Sequence, residues 1–511
     1  MLKMDFQKLM IIGSVMLATI MQALDSTIAN VALPHMQGTM SATQDQIAWV
    51  LTSYIVAAAI FTPTTGFLAD RLGRRRLLAI AVIGFTITSM LCGAAMTIEE
   101  IVLFRMLQGM FGAALVPLSQ SIVLDTFPPT QIGSAMAIWG MGVMVGPILG
   151  PALGGWLTEN YSWRWVFYIN LPFGILALLG ILAAVPHGKL NPERRFDWSG
   201  FAWLSIGIGG LQLMLDRGEL QDWFSSREII IEATLAALGF YLFIAHSYTV
   251  PKPFLDMRIF RDRNLVTGIL LIFMVGVILY ATMALMPPFL ETLKGYPVIT
   301  TGLVLAPRGF GTMIAMMIVG RLIGKVDIRG IMAFGFVLAA ASLWEMCQWS
   351  LDVDETVIVV TGIVQGFGLG FIFVPLSTAT FGTLAQTLRT EGASVYALMR
   401  NLGSSIGISF TQIIATQYTQ INHAILSEHV SLLNPLLRPQ ALGSAFDIHS
   451  GRGLLQLNEM VTQQAGAIAY LNDFKFMMWM TIVALPMVFL MRVPRHQPPM
   501  DPAHAAAAMA D

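Results

Sequence analysis

The stretch LMIIGSVMLATIMQALDSTIANVAL, residues 9–33, contains a single charged residue, Asp25. As an α-helix rising 1.5 Å per residue it would be about 37 Å long, which exceeds the roughly 30 Å hydrocarbon thickness of a bilayer. A carboxylate at the centre of a membrane helix costs roughly 2.5–3.5 kcal/mol, and such residues usually face another helix or a water-filled cavity. The stretch therefore predicts a membrane-spanning helix whose one acid has a function.

Apolar runs of this kind recur along the whole chain. Of its 511 residues, 56% are hydrophobic and only 12% are charged, about half the charged fraction of a soluble domain. A net charge of −1 without a basic domain argues against a nucleic-acid partner. The composition predicts an all-α integral membrane protein. About fourteen segments are long enough to span a bilayer, at approximately 9–33, 47–69, 77–96, 99–121, 133–157, 164–186, 198–216, 228–248, 264–288, 299–320, 330–349, 356–380, 394–419 and 474–493.

A repeated motif divides the chain into two similar parts. QGMFGAALVPLS at 108–119 matches QGFGLGFIFVPLS at 365–377, and GRLIGKVDIRG (320–330) weakly echoes GFLADRLGRRR (66–76). A six-helix unit repeated in parallel, with two helices inserted between the copies, explains this spacing. We predict an N-terminal bundle at 1–186, two inserted helices with flanking loops at 187–263, a C-terminal bundle at 264–495 that includes an outer loop at 420–473, and a disordered tail at 496–511.

Basic residues predict the orientation of the chain. An even number of spans places both termini on one side, and assigning that side to the cytoplasm puts about 19 of the 29 lysines and arginines in cytoplasmic loops and tails. Lys3 and Lys8 before the first run would also fit a signal peptide. The run is too long and lacks a clear cleavage site, which favours a retained helix.

The basic connection GFLADRLGRRR lies between the second and third segments. An acid at a helix end followed by a basic cluster can pair with neighbouring helix ends, although a basic loop also serves as a simple cytoplasmic anchor. The stretch resembles the signature loop of the major facilitator superfamily, which implies a gate role. The matching residues are Gly66, Asp70, Arg71, Gly73, Arg74 and Arg75.

The fourth segment carries an intramembrane arginine in VLFRMLQGMFGAALVP (102–117). Gln108 follows Arg105 on the same broad face, and the repeat has Gly362 at the position of Arg105, so the fold itself does not require the charge. The stretch resembles the superfamily's antiporter motif, which implies that Arg105 takes part in proton coupling.

Small residues recur every four positions in GMGVMVGPILGPALGG (140–155), so they form one groove along the fifth segment. Such grooves let helices approach closely, and proline favours a bend. The stretch resembles the motif of drug:proton antiporters within the superfamily, although tight packing alone would also explain it. The groove residues are Gly142, Gly146, Pro147, Gly150 and Gly154.

Two further stretches resemble one branch of the superfamily in particular. LDSTIANVALP in the first segment is similar to the first-helix signature of the fourteen-helix drug:proton antiporters, and TQQAGAIAYLNDF (462–474) is similar to the segment before the last helix of EmrB-type pumps. The resemblance covers essentially the whole chain. It implies a proton-driven multidrug efflux pump of the bacterial inner membrane, working without a cofactor or metal. It also implies two partners, a periplasmic membrane-fusion adaptor and an outer-membrane channel.

Asp25 and Arg105 are predicted to act together. At 100° per residue, Gln22 and Ser26 share the face of Asp25, and counting from the outer helix ends places Asp25 and Arg105 roughly 12 Å and 9 Å deep. We expect both to line one central cavity, whereas the alternative is a carboxyl that only holds the fold through a bond to the fourth or fifth segment. Candidate residues of the substrate cavity are Gln22, Ser26, Asn30, Tyr54, Gln108, Gln120, Trp139, Arg308 and Asn401.

Other functions remain to be separated from drug export. A metabolite or fatty-acid exporter would share the fold, and the outer loop would be either an adaptor dock or a passive lid. The sequence contains no HExxH, Walker or nucleophile-elbow motif in a suitable context, which argues against an enzyme. The substrates expected are lipophilic small molecules exchanged for protons, with membrane lipid around the chain.

Overall fold

A computed structural model describes residues 6–128, 131–187, 195–251, 253–430 and 450–492. Nearly all of these residues are helical, as expected for a chain whose backbone polar groups must be satisfied inside a membrane. The α-helices are α1 Phe6–Met40, α2 Gln44–Phe61, α3 Thr64–Leu72, α4 Arg74–Ala94, α5 Ile98–Gly112, α6 Leu115–Thr126, α7 Ile132–Asn160, α8 Trp165–Tyr168, α9 Asn170–Ala184, α10 Trp198–Arg217, α11 Arg227–Thr249, α12 Arg263–Pro288, α13 Val298–Leu322, α14 Ile328–Met346, α15 Glu355–Gly382, α16 Arg389–Ser427 and α17 Gly451–Val488.

Each predicted apolar segment falls on one of these helices or on an adjoining pair. Within the described ranges, twelve helices are long and apolar enough to cross a membrane, or thirteen when α2 and α3, which meet at 60°, count as one span. The helix at the remaining predicted position, α16, does not meet that standard. Its first half, RTEGASVYALMRNLGSS, is rich in polar residues, which lowers its hydropathy.

The same helix pairings occur in both halves of the molecule. In the N-terminal half α1 packs on α7, α2 on α5 and α4 on α9, and in the C-terminal half α12 packs on α16, α13 on α15 and α14 on α17. The two halves meet mainly where α7 lies against α13 and where α6 and α3 lie against α16. The helices α10 and α11 pack together, and α10 bridges α2 of one half and α16 of the other.

Within the outer loop predicted at 420–473, the described residues 420–427 and 451–473 are helical. α16 continues to Ser427 and α17 begins at Gly451, so these helices have 39 and 38 residues. Each is about 57 Å long, well beyond the roughly 30 Å of a bilayer core. The extensions hold together because α16 and α17 pack along each other, with His423 and Asn458 hydrogen-bonded at 3.1 Å. The predicted tail at 496–511 lies outside the described residues.

Candidate coupling site

Asp25 lies at the centre of a closed polar cluster in the N-terminal half. The residue is 0% exposed, and its Oδ2 accepts a hydrogen bond from Arg105 Nη1 at 2.6 Å. Its Oδ1 accepts from Gln108 Nε2 at 2.8 Å and from Asn170 Nδ2 at 3.0 Å. A buried carboxylate needs both a counter-charge and hydrogen-bond donors to offset its desolvation. Asp25 has both, supplied by α5 and α9.

Arg105 is equally enclosed. Its Nε donates to the carbonyl oxygen of Val50 at 3.1 Å, and its Nη1 also donates to Gln108 Oε1 at 2.9 Å. The guanidinium carbon lies 4.2 Å from the ring centre of Tyr54 and 5.6 Å from that of Phe167. Aromatic faces at these distances attract a cation, more strongly where water is excluded. The two rings cover the ion pair, so neither Asp25 nor Arg105 lines an open cavity in this structure, contrary to the sequence-based expectation.

Asn170 and Ser89 belong to the cluster although the sequence analysis did not select them. Asn170 Nδ2 also donates to Ser89 Oγ at 2.9 Å, and Ser89 Oγ donates to the carbonyl oxygen of Phe167 at 2.9 Å. The available signal was the polar Asn170 at the start of the apolar run NLPFGILALLGILAA. Its position opposite Asp25 depends on α9 packing against α1, which periodicity within one helix does not reveal.

The other candidates on and near α1 are arranged more loosely. Gln22 Nε2 donates to Tyr54 Oη at 3.3 Å, so these two residues form the edge of the cluster. Ser26 Oγ donates to the carbonyl oxygen of Ala23 in its own helix at 2.9 Å. Asn30 is exposed, on a helix that continues past it to Met40.

The remaining cavity candidates lie apart from Asp25. Trp139 is 0% exposed, donates to Thr19 Oγ1 at 3.2 Å and stacks on Phe373 of the other half with ring centres 6.3 Å apart. Gln120 is buried in α6, and its Nε2 has no partner. Asn401 is half-buried on α16. Arg308 is 8% exposed and borders a small cavity in the C-terminal half.

The predicted gate loop brings the two halves together at one end of the molecule. Asp125, at the end of α6, accepts from Arg74 of its own half and from Arg389 Nη1 of α16 at 2.8 Å. We call Asp125, Arg74 and Arg389 the gate cluster, and the end of the molecule that holds it the gate face. Sequence analysis selected only Arg74, since the acid and the second arginine come from distant parts of the chain.

The other gate-loop residues have different surroundings. Gly66 lies against the backbone of Glu391 on α16, where a side chain would crowd it. Gly73 has φ of +82°, a conformation that favours glycine and that breaks the chain between α3 and α4. Arg75 instead donates to the carbonyl oxygen of Leu182 on α9. Arg71 is exposed, and Asp70 is half-buried at the end of α3.

The predicted glycine groove is the contact surface between α7 and α1. Side chains at Gly142, Gly146, Gly150 and Gly154 would overlap atoms of α1, Gly146 with the backbone of Ala23 in particular. Thr27 Oγ1 donates across this seam to the carbonyl oxygen of Gly146 at 3.0 Å. Pro147 lies inside α7, which the structure assigns as one continuous helix from Ile132 to Asn160. The groove therefore brings α7 against the helix that carries Asp25.

Comparisons with known proteins agree with this architecture. Residues 15–408 match the sequence profile of the Major Facilitator Superfamily. The chain is 36% identical over 490 residues to Multidrug export protein EmrB of Escherichia coli K12, covering 94% of both chains. It is 34% identical over 482 residues to Fatty acid resistance protein FarB of Neisseria gonorrhoeae, covering 94% of this chain and 95% of the relative.

A solved structure supports the fold independently of close sequence similarity. The human organic anion transporter MFSD10 superposes with a TM-score of 0.61 at 14% identity, over 94% of this chain and 99% of that one. With the membrane spans, the repeated helix pairings and the match to the superfamily, this makes the protein a multi-pass membrane transporter and not an enzyme. The chain belongs to the major facilitator superfamily, in its EmrB-like group of multidrug export proteins.

Proposed function

We propose that this protein is a proton-driven antiporter that exports amphipathic toxic compounds across the inner membrane of a bacterium. In this proposal the chain crosses the membrane fourteen times with both termini and the gate face in the cytoplasm, and the polar helix α16 supplies a span. The observation that carries the proposal is the Asp25–Arg105 pair, 0% exposed on both sides and joined at 2.6 Å. Intramembrane ionisable pairs of this kind typically belong to ion or proton pathways.

The geometry of the cluster suggests how one proton would change the structure. Protonating Asp25 removes the charge that offsets Arg105, and breaking a buried ion pair at one partner costs about 3–5 kcal/mol. Asp25 also accepts from Gln108 and Asn170, so the proton weakens contacts that join α1 to α5 and α9. The helices then favour another arrangement, in which the Asp25 cluster becomes accessible from the opposite side of the membrane. A proton taken up outside and released inside would thereby drive export.

The test is Asp25→Asn in proteoliposomes, with ethidium as a lipophilic probe and an imposed pH gradient. Asparagine preserves size and one acceptor oxygen but cannot bind and release a proton. We expect the variant to lose accumulation of ethidium against its gradient while wild type retains it. The matched control is Asp352→Asn, which removes an exposed acid outside the helices and is expected to transport like wild type. Undiminished, pH-driven accumulation by Asp25→Asn would refute the coupling role.

Export of a fatty acid or a specific metabolite is the second candidate function. It is favoured by the similarity to a relative named for fatty acid resistance and by Arg308, a buried cation beside an apolar cavity. Transport of ethidium and of decanoate by the same proteoliposomes separates the two, since a dedicated acid exporter would move only decanoate.

The proposed setting is a tripartite efflux system with a periplasmic membrane-fusion adaptor and an outer-membrane channel. This step depends on resemblance to EmrB-type pumps. The surface we assign to the adaptor is the pair of helical extensions of α16 and α17 that meet at His423 and Asn458, and a passive lid is the alternative role. Site-specific photocrosslinking from exposed Ile425 should capture a co-expressed membrane-fusion adaptor. A lid would give no such product.

A further inference from the structure

A second buried acid lies in the C-terminal half, apart from the cluster around Asp25. Asp473 belongs to the stretch TQQAGAIAYLNDF (462–474) of α17 and is 0% exposed. Neither of its carboxyl oxygens has a hydrogen-bond partner among the described residues. Asp25, by contrast, accepts hydrogen bonds from an arginine and from two side-chain amides. The two halves therefore treat their buried acids in opposite ways.

Asp473 faces the aromatic core of its half. Residues three and four positions apart share one face of a helix, and Asp473, Phe474 and Met477 on this face of α17 are all 0% exposed. The ring of Phe474 packs against those of Trp349 and Phe289, with ring centres 5.9 Å and 6.4 Å away. The carboxyl therefore lies on a face of α17 that is covered by apolar groups.

No neighbouring charge compensates the carboxyl of Asp473. Lys475, two positions further along α17, is exposed, and α16, which packs along α17, has no ionisable residue between Arg400 and Tyr418. The other ionisable groups on this part of α17 and around the adjoining ends of α12 and α14 are Tyr280, Glu291, Lys294, Glu345, Cys347 and Tyr470. In the described part of the chain, none of them is hydrogen-bonded to Asp473.

These surroundings determine the protonation state of Asp473. A buried carboxylate without donors or a counter-charge is far less stable than the neutral acid, so Asp473 holds a proton in this conformation. At 1.5 Å per residue, Asp473 lies about 22 Å from the end of α17 at Val488. In the proposed orientation this is the outer part of a membrane core roughly 30 Å thick, which is the side from which protons enter.

A polar connection leads from the face of Asp473 to a cation that lacks a counter-ion. One turn further along α17, Met477 Sδ lies 3.4 Å from Thr282 Oγ1. Gln365 Nε2 donates to the same hydroxyl at 3.4 Å, and Gln365 and Arg308 border one small cavity. Arg308 is 8% exposed and has no carboxylate within ion-pair distance in the part of the chain that the structure describes. The C-terminal half thus contains an acid and a cation that are both unpaired.

We propose that Asp473 is a second proton-carrying group of the transporter, so that each cycle exchanges two protons for one substrate molecule. This inference rests on the proposed antiport function and adds its stoichiometry. Asp473 takes up its proton from the outside. When the C-terminal half rearranges, the O–H bond of Asp473 breaks, the proton passes to water on the cytoplasmic side, and the carboxylate pairs with Arg308. Asp25 and Arg105 form the equivalent pair in this structure.

Equilibrium gradients in proteoliposomes count the protons. The full-length protein is given ethidium, a monovalent cation, and the ethidium gradient at which protein-mediated flux stops is measured. At zero membrane potential, a difference of one pH unit supports about a tenfold ethidium gradient for each proton exchanged. We expect about a hundredfold gradient for wild type and about tenfold for Asp473→Asn. Without a pH difference, about 59 mV supports a tenfold gradient for each net charge moved, so wild type should respond to the potential and Asp473→Asn should not.

Two further variants are controls for the effect of Asp473→Asn. Asp473→Glu keeps the acid and should retain the response to the potential, and Asp352→Asn removes an exposed acid and should behave as wild type does. A hundredfold gradient in Asp473→Asn would overturn the proposal. A wild type that reaches only about tenfold would also overturn it, while leaving proton-driven export intact. A wild type that builds no gradient at all would overturn the proposed function together with this inference.

Discussion

Replacing Asp125 with asparagine should open the gate face. Asp125 is the only member of the gate cluster with a negative charge, and it joins Arg74 of its own half to Arg389 of the other half. Its side chain is 11% exposed, whereas those of the arginines are 25% and 20% exposed. Asparagine keeps the size and one acceptor but removes the charge that both arginines share.

The size of the effect lies between two limits. Solvent-exposed ion pairs contribute about 0–1 kcal/mol, and breaking a fully buried pair costs about 3–5 kcal/mol. For a mostly buried acid with partly exposed partners, we therefore expect the closed state to lose about 2 kcal/mol of stability relative to the open state. This is roughly thirtyfold in the equilibrium between the two conformations. Other contacts across the halves persist, including Ser134 Oγ to the carbonyl oxygen of Gly320 at 2.8 Å. The closed state is thus weakened without being abolished.

Spin labels at Arg76 and Lys325 measure the opening. Both residues are exposed near the gate face, one in each half. Cys92 and Cys347, the only cysteines, are first replaced so that labelling is specific. If wild type populates the open state at about 2%, within the usual range for a minor conformation, the thirtyfold change should raise this population to roughly 40% in Asp125→Asn, as measured by pulsed electron resonance. Asp125→Glu serves as the charge-retaining control. An unchanged distance distribution in Asp125→Asn would refute the gate as described.

Two further predictions concern the packing of α7 on α1 and the pH dependence of stability. Gly146→Val should reduce thermal stability and transport because its side chain would overlap the backbone of Ala23, whereas Gly155→Ala, where there is room, should be nearly silent in the same melting and transport assays. Burial by itself would raise the pKa of Asp197, but bonds from Gly200, His246 and Ser199 hold that pKa below its ordinary value of 3.8. The folded state therefore gains stability from ionised Asp197 at neutral pH and loses it as the pH falls below about 3.8. Melting temperatures from pH 7 to pH 3 should drop more steeply for wild type than for Asp197→Asn, and parallel curves would contradict this.

The sequence predicted those features that depend on one helix at a time. Apolar length located the helices, and the polar face and depth of Asp25 and Arg105 placed them level with each other, where the structure finds a 2.6 Å ion pair. The four-residue glycine spacing likewise predicted a close seam, which is the contact between α7 and α1. Each of these is a property of helical period and hydropathy.

Features that need a partner from elsewhere in the chain were not predictable in this way. Asn170 and Arg389 acquire their roles only because α9 packs on α1 and α16 on α6. The open cavity that we expected at Asp25 and Arg105 is not found there, because Tyr54 and Phe167 close over Arg105. Hydropathy marks a polar stretch as a loop even where two long helices pack on each other, which explains why α16 and α17 extend beyond the predicted segments 394–419 and 474–493.

The position of α7 links the Asp25 cluster to the C-terminal half. On one side its Gly146 lies against Ala23, two residues from Asp25, and on the other its Ile148 fills the space beside Gly309, the residue after Arg308. Close-packed contacts of this kind transmit a displacement because they cannot absorb it. A shift of α1 on protonation of Asp25 would therefore move α7 against α13 and alter the surroundings of Arg308. We expect Gly309→Ala to disturb this contact without touching either charge. Ethidium transport driven by a pH gradient should then fall in Gly309→Ala although the ion pair at Asp25 is intact. Undiminished transport by Gly309→Ala would show that the coupling runs through other contacts.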